Sequence, residues 1–259
     1  MRITTKNPGL VMLNIDSSHS TGSIWDGKSS RIIDSINENV NKFLHDLTIN
    51  VVYDSGQILD RIKLSVTKIQ GEFPEWALDS EKPKSGYLKS NDWVQLAKKI
   101  ESRKEPIWVQ LSPEGKTPIV EAWENALEIH SNFLHEYPNS NSILITITDG
   151  SLDEVVNKNE EKLISVTNDL VERIARGNFL HMIIHISAEH SHSIVFPEES
   201  PNDKFGKLLY DITSNLPTHL GLGERRRAYV LNADPGMLSS ALQLGSTIAS
   251  SLDEIKEEE

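Results

Sequence analysis

Five oxygen-bearing side chains stand out by type and spacing. Asp16, Ser18 and Ser20 follow the pattern D-x-S-x-S, Thr117 comes after Gly115 and Lys116, and Asp149 precedes Gly150. Carboxylate and hydroxyl oxygens are the donors that a hard divalent cation such as Mg2+ takes, and magnesium usually keeps part of its water shell. Mn2+ accepts the same oxygen donors. If the neutral hydroxyls of Ser18, Ser20 and Thr117 touch the ion while Asp16 and Asp149 act largely through water, the ion stays electron-poor at its open position. It then seeks a carboxylate from outside. The three segments supply no further general base or nucleophile, so the expected chemistry is binding, not catalysis.

Each group also has a plain structural role open to it. Asp16 and Ser18 can cap a turn, Thr117 can cap a helix, and Asp149 before glycine can belong to a turn. The alternative chemistry is nucleotide hydrolysis through Lys116, Thr117 and Asp149, because Gly115, Lys116 and Thr117 copy the end of a phosphate-binding P-loop. The pattern G-x-x-x-x-G-K-[ST] needs glycine where Gln110 stands, however, and Pro113 removes an amide from the cradle. Asp16 as a phosphoryl-accepting nucleophile is weaker, since Ser18 stands where such phosphatases usually carry a second aspartate. His181, His185, His190 and His192 cluster in sequence. A four-residue step along a strand spans about 13 Å, too far for His181 and His185 to share one ion, so packing and loop roles are expected. Trp93 and Trp108 are expected to be packed.

The elements that must position these groups alternate. Residues 10–15 form a nearly continuous apolar run, as in a strand covered on both faces. Ile32, Ile33, Ile36, Val40, Phe43, Leu44 and Leu47 recur at helical steps. Ile62, Leu64 and Val66 alternate with polar residues, which predicts a half-covered strand near the sheet edge. Residues 72–105 show no sustained period and read as an insertion, with a short helix from Asp92 presenting Trp93, Leu96 and Ile100. A helix from Pro118 carries Ile119, Trp123, Ala126, Leu127, His130 and Leu134 inward, and a strand covers 143–148. Then come a helix around Leu163, Val166, Leu170 and Ile174, a strand over 179–186, a short helix over 205–212, a strand at Tyr229, Val230 and Leu231, and a last helix opened by Asp234 and Pro235. The acidic end, 254–259, is expected to fray. The expected fold is a single α/β domain over 1–259: a doubly wound, mostly parallel sheet of six strands, Rossmann-like, with helices on both faces and the ligand crevice at the carboxyl ends of the strands.

Composition narrows the partners. The chain has 259 residues, with 38 acidic and 26 basic side chains and a net charge of −12. That charge repels phosphate backbones and anionic headgroups, so neither nucleic acid nor membrane is expected as partner. There is no cysteine, hence no thiolate ligand or nucleophile. The run at 10–15 is too short for a signal core and no stretch is long enough to span a bilayer, which makes the cytoplasm the expected compartment.

Taken together, the D-x-S-x-S after the first strand, the threonine opening a helix and Thr148, Asp149 and Gly150 at the end of the strand over 143–148 resemble the von Willebrand factor A family, in which T-D-G ends the fourth strand. Asp16, Ser18, Ser20, Thr117 and Asp149 match its metal-ion-dependent adhesion site residue by residue. Residues 232–245 resemble the last helix of bacterial intracellular members linked to tellurium-resistance and stress operons. His19 stands where the family usually has glycine, and Thr21 where it has an apolar residue. The resemblance implies no enzyme activity, a Mg2+ or Mn2+ ion at those five residues, and a partner protein that offers an aspartate or glutamate to the metal, in a stress or defence setting.

Overall fold

The computed structural model describes residues 3–25, 29–99, 106–149, 160–186, 193–202, 204–216, 218–220 and 226–250. Gly9–Asp16 (β1) is buried at every residue. Ile32–Leu47 (α1) follows, with all seven residues of its predicted apolar stripe buried. A small hairpin of Tyr53–Asp54 (β2) and Gln57–Ile58 (β3) leads to Ile62–Ile69 (β4) and Glu75–Trp76 (β5). Next are Ser90–Gln95 (α2), Ile119–Glu136 (α3), Ser142–Thr148 (β6) and Glu160–Ala175 (α4). Phe179–Ile186 (β7), Ile194–Val195 (β8), Lys204–Asp211 (α5), Tyr229–Ala233 (β9) and Pro235–Ser250 (α6) complete the described elements.

The main sheet runs in the order β5-β4-β1-β6-β7-β9-β8. The pairs from β4 through β9 are parallel, and the two-residue edge strands β5 and β8 pair antiparallel. The expected α/β architecture therefore holds with seven strands, not six, because strands of two residues leave no periodic trace in a sequence. Helices cover both faces. On one, α1 and α6 pack on Val11, Leu13, Ile145 and Ile147. On the other, α3, α4 and α5 pack on Leu10, Met12, Leu144 and Ile183. Gly245 lets α6 press close, since a Cβ there would stand 2.8 Å from Ile145 Cδ1.

Two local expectations change. β4 is not half-covered: its polar residues Lys63, Ser65 and Thr67 are as buried as its apolar ones. Leu78, Trp93 and Val94 pack with Ile62, Leu64 and Val66 on one face, and Leu88 pairs with Leu64; on the polar face Asn125 of α3 donates to Thr67 Oγ1 (3.5 Å). Ser90 Oγ donates to Ile62 O (2.8 Å), and the Lys63 ammonium pairs with Asp60 and lies 5.2 Å from the Tyr137 ring centroid. Alternation in β4 thus reflects paired polar groups, not solvent. The short helix begins at Ser90 and ends before Leu96, burying Trp93 and Val94; Ile100 lies outside the described residues, as do 101–105 and the acidic end 254–259.

Candidate metal site

β1 lies between β4 and β6. The chain leaves β1 for β4 on one side and later reaches β6 on the other, so the crevice between the carboxyl ends of β1 and β6 is the switch point of the sheet. Asp16 is the last residue of β1, Ile15 is in register with Ile147 of β6, and Asp149 follows β6 directly. Two aspartates distant in sequence are placed side by side in this way.

Hydrogen bonds fix their surroundings. The Ser18 N–H donates to Asp16 Oδ1 (2.8 Å), and the Thr148 hydroxyl donates to Asp16 Oδ2 (2.9 Å). Ser18 Oγ and Ser20 Oγ are 3.0 Å apart, and Ser20 Oγ donates to Asp149 Oδ1 (2.9 Å). A 3-10 turn over His19–Gly22 turns Ser20 back toward Asp149. It is held by Thr21, whose buried hydroxyl donates to Ser18 O (2.7 Å); a hydroxyl with an internal partner is accommodated where an apolar residue is more usual. His19 is exposed, and its N–H donates to Gly115 O (3.1 Å).

Thr117 enters through its loop. The Glu114 N–H donates to Ser17 O (2.8 Å), and Gly115, at φ +66°, sits so close to Gly71 that an added Cβ would be 2.7 Å from the Gly71 Cα and N. The loops after β1, after β4 and before α3 therefore meet at one end of the sheet. α3 starts at Ile119 without a side-chain cap, so the Thr117 hydroxyl is not used in capping. Among the described residues it has no hydrogen-bond partner. Asp16, Ser18, Ser20 and Asp149 are in direct hydrogen-bonded sequence; the loop of Thr117 is tied to the loop after β1 at Glu114 and Gly115.

The charges in this cluster are uncompensated. Burial pushes the Asp16 carboxyl above its ordinary range, against the bonds from Ser18 and Thr148 that lower it. Asp149 is pushed from 3.8 to about 7, first by burial and then by the negative charge of Asp16. Neither forms an ion pair with a basic side chain among the described residues. Two desolvated acids beside three hydroxyls fit a divalent cation by donor chemistry and charge. No three His, Cys, Asp or Glu side chains come together among the described residues, so hydroxyls are needed to complete any such set.

Other sequence candidates resolve differently. The segment before Gly115 makes no sheet strand among the described residues, whereas a P-loop needs one running directly into its glycines. His181 is a fully buried packing residue: its Nε2 is 3.0 Å from Thr146 Oγ1, its Nδ1 is 2.9 Å from Ile212 O, and burial lowers its pKa to about 4. His190 and His192 lie outside the described residues, as does Gly150. Trp93 and Trp108 are buried with ring centroids 6.2 Å apart. Three contributions escaped the sequence: the role of Thr148 in orienting Asp16, and those of Asn37 and Asn41, which hold the segment leading to Thr117. Their signal was a pair of asparagines four apart beside the apolar stripe of α1.

No helix among the described residues is long and apolar enough to cross a membrane. No protein-family model matches the chain, and no curated protein matches it. Among solved structures it is similar to the human COPII-coat protein Sec24c, with a TM-score of 0.38 and 8% identity, over 80% of this chain and 28% of that one. The chain thus spans under a third of that protein's length, and a likeness this distant carries no argument about function.

Proposed function

We propose that this chain is a metal-dependent protein-interaction domain of the von Willebrand factor A type. One observation carries this: Asp16, Ser18, Ser20 and Asp149 form a hydrogen-bonded cluster at the switch point of the sheet, with two neighbouring carboxyl groups and no basic partner among the described residues. A bound Mg2+ or Mn2+ would supply a positive, coordinatively open centre for a carboxylate of a partner protein. The chain's own residues do the positioning. Thr148 and the Ser18 N–H fix Asp16, the Ser18–Ser20 pair links it to Asp149, and the Ser17–Glu114 bond brings the loop of Thr117 alongside. The cluster opens to solvent at Ser20, which is exposed. Exposed Phe73 and Ile24 stand on two loops at this end of the sheet and suit the rim of a protein contact. The partner class is a protein presenting an aspartate or glutamate; the family resemblance points to a bacterial stress or defence setting.

Titration calorimetry with MgCl2 and MnCl2 tests the site. The wild type should give a saturable heat, Asp149→Ala none, and Thr117→Ala about tenfold weaker binding with an unchanged far-UV spectrum. Equal heats from wild type and Asp149→Ala would refute the assignment.

A further inference from the structure

Residues 107–112 run beside α1 without joining the sheet, yet α1 treats them as a neighbouring strand would. Asn41 Oδ1 accepts from the N–H groups of Trp108 (2.7 Å) and Val109 (3.0 Å), and Asn41 Nδ2 donates to Val109 O (2.7 Å). One helical turn earlier, Asn37 Oδ1 accepts from Leu111 N–H (2.8 Å) and Asn37 Nδ2 donates to Leu111 O (2.8 Å). Val109 and Leu111 are buried while Gln110 and Ser112 are exposed. That is the two-residue alternation of an extended strand, in which the backbone groups of the intervening residue face the other way. The Gln110 N–H and C=O accordingly have no hydrogen-bond partner among the described residues. Gln110 lines a cavity of about 800 Å³ whose walls include Arg31, Asp34, Ala77, Asp79 and Lys98. The wall charges neutralise one another, Arg31 with Asp34 (2.8 Å) and Lys98 with Asp79 (2.7 Å).

We propose that this edge binds an extended, uncharged peptide segment of a partner protein, which pairs its main chain with Gln110 inside the cavity. Strand addition uses main-chain hydrogen bonds for affinity, and an edge already held straight by Asn37 and Asn41 loses little freedom on pairing. A second copy of this chain is a poor occupant, because an identical recessed edge cannot enter the recess. A charged ligand gains nothing from walls whose charges are already paired. The edge continues through Ser112 and Pro113 to Glu114, which bonds Ser17 O (2.8 Å), so the bound segment would lie beside the crevice of Asp16. Its hydrogen bonds need no metal.

The test is an array of N-acetylated, C-amidated hexapeptides randomised over uncharged residues, probed with the labelled full chain in EDTA. A subset should bind. Gln110→Ala should retain that binding within about twofold, whereas Gln110→Pro, which removes the N–H, should lower it at least tenfold. Gln110→Pro should still fold, since that N–H has no native partner, and circular dichroism checks it. If it does not fold, methylating the central amides of a bound hexapeptide should abolish its binding to the wild type. An array without binders, or binders indifferent to both Gln110→Pro and amide methylation, overturns the proposal. So does sedimentation showing a dimer that Gln110→Pro dissociates, which would make a second copy the occupant. Because the array is run in EDTA, its outcome is independent of the metal titration.

Discussion

Asp149→Asn should stabilise the metal-free protein at neutral pH. In the wild type the folded chain holds the Asp149 proton up to about pH 7, whereas the unfolded chain releases it near 3.8. A folded pKa raised above the unfolded one contributes stability that is present at low pH and is lost as pH rises through the folded value. Between pH 5 and about 7 that loss accumulates at about 1.36 kcal/mol per pH unit, or about 2.7 kcal/mol by pH 8. Asp149 is half-buried at the lip of the crevice, and solvent screening there reduces the expected figure to about 1–2 kcal/mol. The amide introduced by Asp149→Asn carries no charge and can still donate toward Asp16. Urea denaturation in EDTA, followed by the fluorescence of the five tryptophans, should therefore show the variant's advantage growing by about 1–2 kcal/mol from pH 5 to pH 8. Comparing the two proteins at each pH cancels the titrating groups that do not act on Asp149, and leaves the Asp16–Asp149 pair as the difference. In magnesium at a hundred times its dissociation constant the order should invert, since the wild type gains about 2.7 kcal/mol and the variant loses most of its affinity. An advantage that stays flat or shrinks from pH 5 to pH 8 would mean that Asp16 and Asp149 do not repel one another, and the charge argument for a cation would fall with it.

Other outcomes follow from the same geometry. Asn41→Ala strands the N–H groups of Trp108 and Val109 and the Val109 carbonyl, and chemical denaturation should show a loss of about 3 kcal/mol. Gly115→Ala forces a side chain into φ +66° and against Gly71; it should cost about 1–2 kcal/mol and weaken magnesium binding in calorimetry by displacing Thr117. His181 has its pKa lowered to about 4 from 6.5 by burial, so its contribution is complete above 6.5 and is lost as pH falls toward 4. The stability of the wild type relative to His181→Gln should drop by up to about 3 kcal/mol between pH 7 and pH 4, and a constant difference would exclude a neutral buried imidazole.

Local periodicity determined much of this protein from its sequence. The central strands β1, β6 and β7 and the helices α1, α3, α4 and α6 each carry enough apolar residues at the right step to be read directly, because burial on a strand or helix repeats every two or every three to four residues. The D-x-S-x-S turn is legible for the same reason, as Asp16 and Ser18 interact across two positions. What only the tertiary structure decided involves partners far apart in the chain. Thr148 reaches Asp16 across 132 residues and Ser20 reaches Asp149 across 129, and the elevated pKa of Asp149 exists because the strand order sets β6 beside β1. β4 shows the limit most plainly. Its alternating Lys63, Ser65 and Thr67 have the pattern of a solvent face, yet they are buried, and their partners are Asp60 just before the strand for Lys63 and Asn125 of α3 for Thr67 (3.5 Å). A polar residue in a sequence announces that it needs a partner; whether that partner is water or another side chain is settled when the distant segments fold over it.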